Sequence, residues 1–452
     1  MEHKPPRITF WSGVGEVTGA NFLLEYLDER ILVDCGLIQG KNVHKQNWEK
    51  FPYDPSSIDY LFITHAHIDH IGRIPFLLRK GFNGEIWSTP QTKELAPHML
   101  RDALYIATEE AHRDGSPVPY EEKDIDEALR LWKTAPYYEV IYFGEWSVLF
   151  KDAGHILGSA MPIFSIGGKN IAFTGDLGNS PTPLLRDTDF LENIDYLVME
   201  SVYGDRNHEG LDTRRDKLQE IIIRSIERGG TLLIPCFSLE RTQILLHELN
   251  HLVERNSIPK IPVFLDSPLA IRVTEIYRRE GADFNKSVQK EQRHDRDIFD
   301  FPNLNLTLSR RDSAEIAATH GPKIIIAGSG MSEGGRVRGH EKAILSDDKN
   351  TILFIGYQGI GTLGRRIMDG ERQIVIDGTT VGVRANIESI LGYSSHKDSD
   401  HLIEFVEKAL PIKQVFVVMG EPKASLFLVQ KLRDELVANA IYPERGKSYL
   451  LE

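Results

Sequence analysis

The chain predicts an α/β protein of two or three domains, and three observations carry that reading. Its 452 residues exceed what one hydrophobic core ordinarily holds. Short apolar runs ending in Asp, His, Glu or Gly alternate with helical stretches through the first 200 residues. From about residue 212 the strand–helix alternation becomes regular, as in a parallel sheet with helices on its faces.

Taken in order, a polar opening, Met1-Glu-His-Lys-Pro-Pro-Arg7, leads into a strand-like segment at 8–14 and lacks the pattern of a signal peptide. Further strands are expected at 31–34, 60–64, 148–150, 171–174 and 196–200. Helices are expected over 91–111 and 121–132, the first interrupted or kinked at Pro97, which cannot donate a helical hydrogen bond. Strands at 232–235, 263–266, 324–327 and 352–355 follow, separated by helices such as 239–253. After about 395 come a helix, a strand at 415–418 and a last helix.

The composition, 41% hydrophobic and 26% charged, is that of a folded soluble protein, and no run of 18 apolar residues suggests a membrane span. Two cysteines, Cys35 and Cys236, are too few for a disulfide framework and fit a reduced cytoplasmic setting. A net charge of −13 argues against a broad basic face for nucleic acid. It leaves room for a narrow site whose positive charge comes from bound metal.

The densest chemistry is His65-Ala-His67-Ile-Asp69-His70, directly after the run at 60–64. Imidazoles and a carboxylate at a strand end suit zinc or a similar divalent ion. His65 and His67 can share one ion, while Asp69 and His70 can reach a second. Two ions ~3.5–4 Å apart clamp both oxygens of an in-line displacement. One loop cannot complete two sites, so later strand ends must contribute. Asp152-Ala-Gly-His155 and Thr174-Gly-Asp176 offer His155 and a bridging carboxylate, Asp176.

In the order DCG (34–36), HAHIDH (65–70), GH (154–155) and GD (175–176), the chain resembles the metallo-β-lactamase fold. The resemblance implies an αββα sandwich with the metals at one edge. It implies His65, His67, His155 and Asp176 on a first zinc. Asp69, His70 and the shared Asp176 would hold a second, with Asp34 behind them orienting the site.

The second half narrows this further. The segment 199–205 with Glu200, the glycine-rich 327–340 leading to His340, and 392–398 with His396 resemble motifs A, B and C of the β-CASP nucleases. That branch inserts an α/β domain into the metallo-β-lactamase fold, and the likeness extends through 235–241 and 265–270 across essentially the whole chain. It implies a metallo-β-lactamase domain built from 1–205 and 395–452 around a β-CASP domain at 206–394. Glu200 would be held close to His340, His340 would protonate the leaving oxygen, and His396 would complete the second zinc. An imidazolium beside a carboxylate supplies a proton near neutral pH.

The glycine-rich turn is neither a dinucleotide fingerprint nor a P-loop. Ser329 and Ser332 are candidates to cradle a phosphate, and Arg336 and Arg338 to neutralise neighbouring ones. Where relatives often carry His-Gly-Glu, this chain has Met419-Gly-Glu421, and it ends without the extra C-terminal domain of longer bacterial ribonucleases. A compact two-domain enzyme is therefore expected.

These readings lead to a hydrolase with two Zn2+ per chain that cleaves single-stranded RNA, using Asp69, Glu200 and His340 in catalysis. A histidine in motif C marks RNA-directed members, whereas DNA-directed ones tend to carry valine. The rivals are a DNA-directed nuclease of the same branch, an ester or thioester hydrolase on the same fold, and a non-catalytic RNA-binding subunit. The insertion argues against the second, and the filled ligand positions against the third. No membrane partner is expected, a homodimer is compatible with the reading, and the motifs do not separate endo- from exonucleolytic cleavage.

Overall fold

The computed structural model describes residues 5–40, 44–208, 211–295, 297–359 and 361–452, so the first four residues of the polar opening lie outside the described residues. Contacts divide the chain into two units, Met1–Asn207 with Ser395–Glu452, and His208–Ser394.

The first unit contains two seven-stranded mixed sheets. One runs Ser448–Leu450, Arg7–Ser12, Asn21–Tyr26, Glu29–Val33, Tyr60–Phe62, Glu85–Ser88 and Trp132–Thr134. The other runs Ala440–Ile441, Gln414–Val417, Tyr196–Met199, Lys169–Phe173, Ala160–Ile166, Trp146–Asp152 and Val140–Phe143. Their inner faces meet in one core: Phe10, Phe22, Ile31, Val33 and Phe62 pack with Trp146, Phe150, Phe164, Phe173, Val198 and Phe416. Helices Ser399–Ala409 and Pro422–Leu436 cover the outer face of the second sheet through Leu402, Phe405, Val406, Leu428 and Leu432. Helix Pro90–Asp114 continues through Pro97, so the expected interruption does not occur. Its buried stripe of Leu95, Ala96, Leu100, Ala103, Ala107 and Ala111 offsets the one missing hydrogen bond.

The second unit contains a six-stranded, all-parallel sheet in the order Leu304–Leu306, Val263–Asp266, Lys323–Ala327, Thr231–Pro235, Thr351–Phe354 and Asn386–Ser389, and a separate antiparallel hairpin of Gln373–Ile376 and Thr379–Gly382. Central strands such as Thr231–Pro235 are buried at every residue, which explains their continuous apolar runs. The fold is thus the expected αββα sandwich interrupted by a parallel α/β sheet.

Candidate metal centre

Most metal-site side chains of the first unit stand just past a strand. Asp34 follows Glu29–Val33, His65 and His67 follow Tyr60–Phe62 with Asp69 and His70 on the short helix Ile68–Ile71 beyond, His155 follows Trp146–Asp152, Asp176 follows Lys169–Phe173 and Glu200 follows Tyr196–Met199, whereas His396 follows the turn Leu391–Tyr393. Strand ends leave backbone and side chains free to converge on one edge, which is why the ligands are scattered in sequence. Two glycines let these loops close. A side-chain carbon at Gly36 would lie 1.5 Å from the Asp69 carbonyl oxygen, and Gly175, at φ +53°, lies against Thr64.

His65, His67, His155 and Asp176 present four donor atoms within 4.8 Å of one another. His65 Nε2 lies 3.1 Å from His67 Nδ1 and 3.4 Å from Asp176 Oδ2. His155 Nε2 lies 3.2 Å from the same His67 nitrogen and 3.5 Å from the same Asp176 oxygen. Four ligands at 2.0–2.1 Å from a tetrahedral ion are separated by about 3.3 Å, so this cage has the dimensions of a metal site.

Asp69, His70 and Asp176 form a second group, and Asp176, Glu200 and His396 a third that shares the same carboxylate. His70 Nε2 and Asp176 Oδ1 face each other at 3.5 Å, too far for a hydrogen bond, and both atoms are buried without a hydrogen-bond partner. A cation between them would satisfy both. The donor set therefore fits metal at the clusters that share Asp176.

The ring orientations agree with that fit. His70 Nδ1 donates to Asp34 Oδ2 at 2.7 Å and His155 Nδ1 to the Ser395 carbonyl at 3.1 Å, so each Nε2 faces the cluster and is the nitrogen a metal would take in place of a proton. Asp34 is fully buried and also accepts from the Thr64 amide and hydroxyl, each at 2.8 Å. Glu200, also fully buried, accepts from His396 Nδ1 at 3.1 and 3.2 Å and from the Leu177 amide at 2.6 Å.

Electrostatics follow burial and charge. Burial holds His67 and His155 well below the usual imidazole range, with neighbouring histidines adding to the effect. Burial would lower His70 too, but the carboxylates of Asp176, Asp34 and Asp69 outweigh it and raise it. Asp69 is pushed up to about 6, chiefly by burial and partly by Asp176, against His70.

The second unit holds His340 in a network of its own. His340 Nε2 is 2.7 Å from Asp266 Oδ2, and the fully buried Asp266 also accepts from Arg336, Thr307 and Ser313 at 2.7, 2.7 and 2.6 Å. Burial would raise Asp266, but these four donors hold it far below the usual carboxylate range. Two expectations need correction here. The carboxylate that orients His340 is Asp266, while the oxygens of Glu200 go to His396. The phosphate-cradle residues are mostly spent on structure. Ser332 is fully buried with its hydroxyl on Glu341, Arg336 also donates to the Thr307 and Leu308 carbonyls, and Arg338 pairs with Asp377 at 2.8 Å. Ser329 is half-buried.

Asp266 was legible as a strand-terminal acid. Strand Val263–Asp266 pairs in parallel with Lys323–Ala327, and Asp266 sits opposite Ala327, just before the turn that leads to His340. Met419 is buried and lines a small cavity with Phe22, Asp34, Thr64, His70 and Glu200.

A two-sheet sandwich carrying a histidine–carboxylate metal cage at its strand ends, with an α/β insertion, defines a metal-dependent hydrolase. Residues 14–222 match the metallo-beta-lactamase superfamily, 242–367 the Beta-Casp domain, and 380–443 the Zn-dependent metallo-hydrolase RNA specificity domain. The chain is 33% identical over 440 residues to Ribonuclease TTHA0252 of Thermus thermophilus, covering 97% of this chain and 99% of that one. It is 32% identical to the transcription termination factor FttA of Methanosarcina mazei, covering 95% of this chain and 69% of that one. The chain belongs to the β-CASP family of the metallo-β-lactamase superfamily. A crystal structure of a protein of unknown function from Enterococcus faecalis shares the fold, at a TM-score of 0.55 and 14% identity over 99% of this chain and 100% of that one.

Proposed function

We propose that this protein is a zinc-dependent ribonuclease that hydrolyses phosphodiester bonds of single-stranded RNA. The observation that carries the proposal is the set of three donor clusters sharing Asp176, one of which holds the orphaned His70 Nε2 and Asp176 Oδ1. The RNA specificity match at 380–443 and the ribonuclease relative support RNA as the substrate. RNA-acting relatives also support a cytoplasmic setting; among the described residues no helix is long and apolar enough to cross a membrane.

In this reading His65, His67, His155 and Asp176 would hold one zinc, and Asp69, His70, His396 and Asp176 would hold a second. When bound, the two ions supply Lewis acidity and lower the pKa of an attacking water. The residues of the chain do the remaining work. Asp34 and Glu200 orient His70 and His396, and Asp69 accepts the proton of the water. Asp266 holds His340 through Nε2, leaving Nδ1 to protonate the 3′-oxygen as its bond to phosphorus breaks. The products are a 5′-phosphate and a 3′-hydroxyl.

The test is incubation of end-labelled single-stranded RNA and DNA with wild type, Asp69→Asn and His340→Ala. Cleavage of RNA by wild type alone is expected. Full activity in His340→Ala would eliminate the proton donor, and a substrate range limited to simple esters would eliminate the ribonuclease.

A further inference from the structure

Outside the metal centre, one more group of metal-ligating side chains occurs among the described residues, in the α/β unit. His247 and His251 are one turn apart on helix Arg241–Glu254, so their rings leave the same face, with centroids 4.6 Å apart. Opposite them, the short helix Lys286–Glu291 ends in Glu291. His247 Nε2 lies 2.8 Å and His251 Nε2 3.2 Å from the same oxygen, Glu291 Oε2. We propose that His247, His251 and Glu291 bind a divalent transition-metal ion of the zinc class, which ties these two helices together.

The spacing suits this assignment. Ligand atoms around a tetrahedral ion with 2.0–2.1 Å bonds are about 3.3 Å apart, so small outward shifts of Glu291 open the cage fully. Two imidazoles and one carboxylate select zinc, cobalt, nickel or copper over magnesium or calcium. A plain ion pair explains less: two ring nitrogens converge on one oxygen, and only the His247 contact is aligned as a hydrogen bond.

His247 Nε2 donates to Glu291 Oε2 in the metal-free protein, so a bound ion would take the place of that proton. Arg215 and Arg255 are among the charges that act on His251. The two arginines oppose any cation held there. His247 is buried, whereas the side chains of His251 and Glu291 are 18% and 34% exposed, so water can fill the fourth position. Three protein ligands plus water is a common zinc arrangement. Neither helix contributes a ligand to the metal centre of the other unit.

The experiment measures zinc retained by the full chain after loading with Zn2+ and removal of excess ion. Wild type should keep one Zn2+ per chain more than either His251→Ala or the conservative Glu291→Gln. A His67→Ala/Asp176→Asn variant, in which the other centre is disrupted, should still keep one Zn2+ and melt at higher temperature with Zn2+ than without. Adding His251→Ala to that background should remove both effects. Equal zinc content in wild type and the two single variants would overturn the proposal. So would a disrupted-centre variant that neither holds Zn2+ nor responds to it.

Discussion

Replacing Asp34 by Asn tests how the chain presents His70 to metal. Asp34 sits at φ +60°, a conformation that Asn adopts readily, so the backbone has no reason to move. The new carbonyl can still accept from the Thr64 amide, which meets Oδ1 at 2.8 Å. The new –NH2 then occupies the position of Oδ2, which now receives His70 Nδ1 at 2.7 Å and the Thr64 hydroxyl at 2.8 Å. An –NH2 only donates, so His70 Nδ1 must become an acceptor and its proton must move to Nε2. That is the atom the metal needs. Loss of such a partner typically costs about 10–100-fold in metal affinity, or roughly 1.4–2.7 kcal/mol. Zinc titration against a competing chelator measures this, with metal-free melting curves confirming that the variant folds. An affinity equal to wild type would refute the claim that Asp34 sets the tautomer of His70.

Three further outcomes follow from the same geometry. His340→Ala should lower RNA cleavage by roughly 10²–10⁴, and Asp266→Asn should lower it less, both with the zinc content of wild type; normal cleavage by Asp266→Asn would separate Asp266 from the function of His340. Gly36→Ala should lose zinc, because a methyl group there would collide with the Asp69 carbonyl and displace the ligand loop; full zinc content would show that the loop can yield. Glu240→Gln should alter the dependence of stability on pH. Burial pushes the Glu240 carboxyl up to about 8 from an ordinary value of 4.5, against a hydrogen bond from Tyr277. Between those values the unfolded chain has lost a proton that the folded chain keeps, so stability falls as pH rises through that window. Glutamine removes this penalty. Urea melts should show the variant more stable by on the order of 4 kcal/mol at pH 8 and equal at pH 4.5; equal stability at both would contradict the buried, neutral carboxyl.

Most of the candidate site residues were legible because they follow an apolar run: His65, His155, Asp176 and Glu200 lie just beyond strands that burial makes hydrophobic. The long-range partners were less so. Glu200 reads as an acid beside His340, yet its oxygens meet His396, and the carboxylate at His340 comes from the strand end at Asp266. Strand order decides such pairings, and single segments do not encode it. Ser332 and Arg336 look like phosphate ligands in a glycine-rich turn, but the turn folds back and spends them on Glu341 and Asp266. Among elements, the strand Ala160–Ile166 escaped notice because it is buried at all but one position and contains Pro162, which usually argues against a sheet interior. The approach of His247 and His251 to Glu291 has no local signal in the sequence, since Glu291 lies far along the chain.

The most direct test of the ribonuclease reading is metal removal and return on one RNA substrate. Protein stripped by chelator should leave end-labelled single-stranded RNA intact, and added Zn2+ should restore cleavage to products with 5′-phosphate ends, while matched DNA stays uncut. Cleavage of RNA by the stripped protein, or restored protein that cuts DNA and spares RNA, would contradict it.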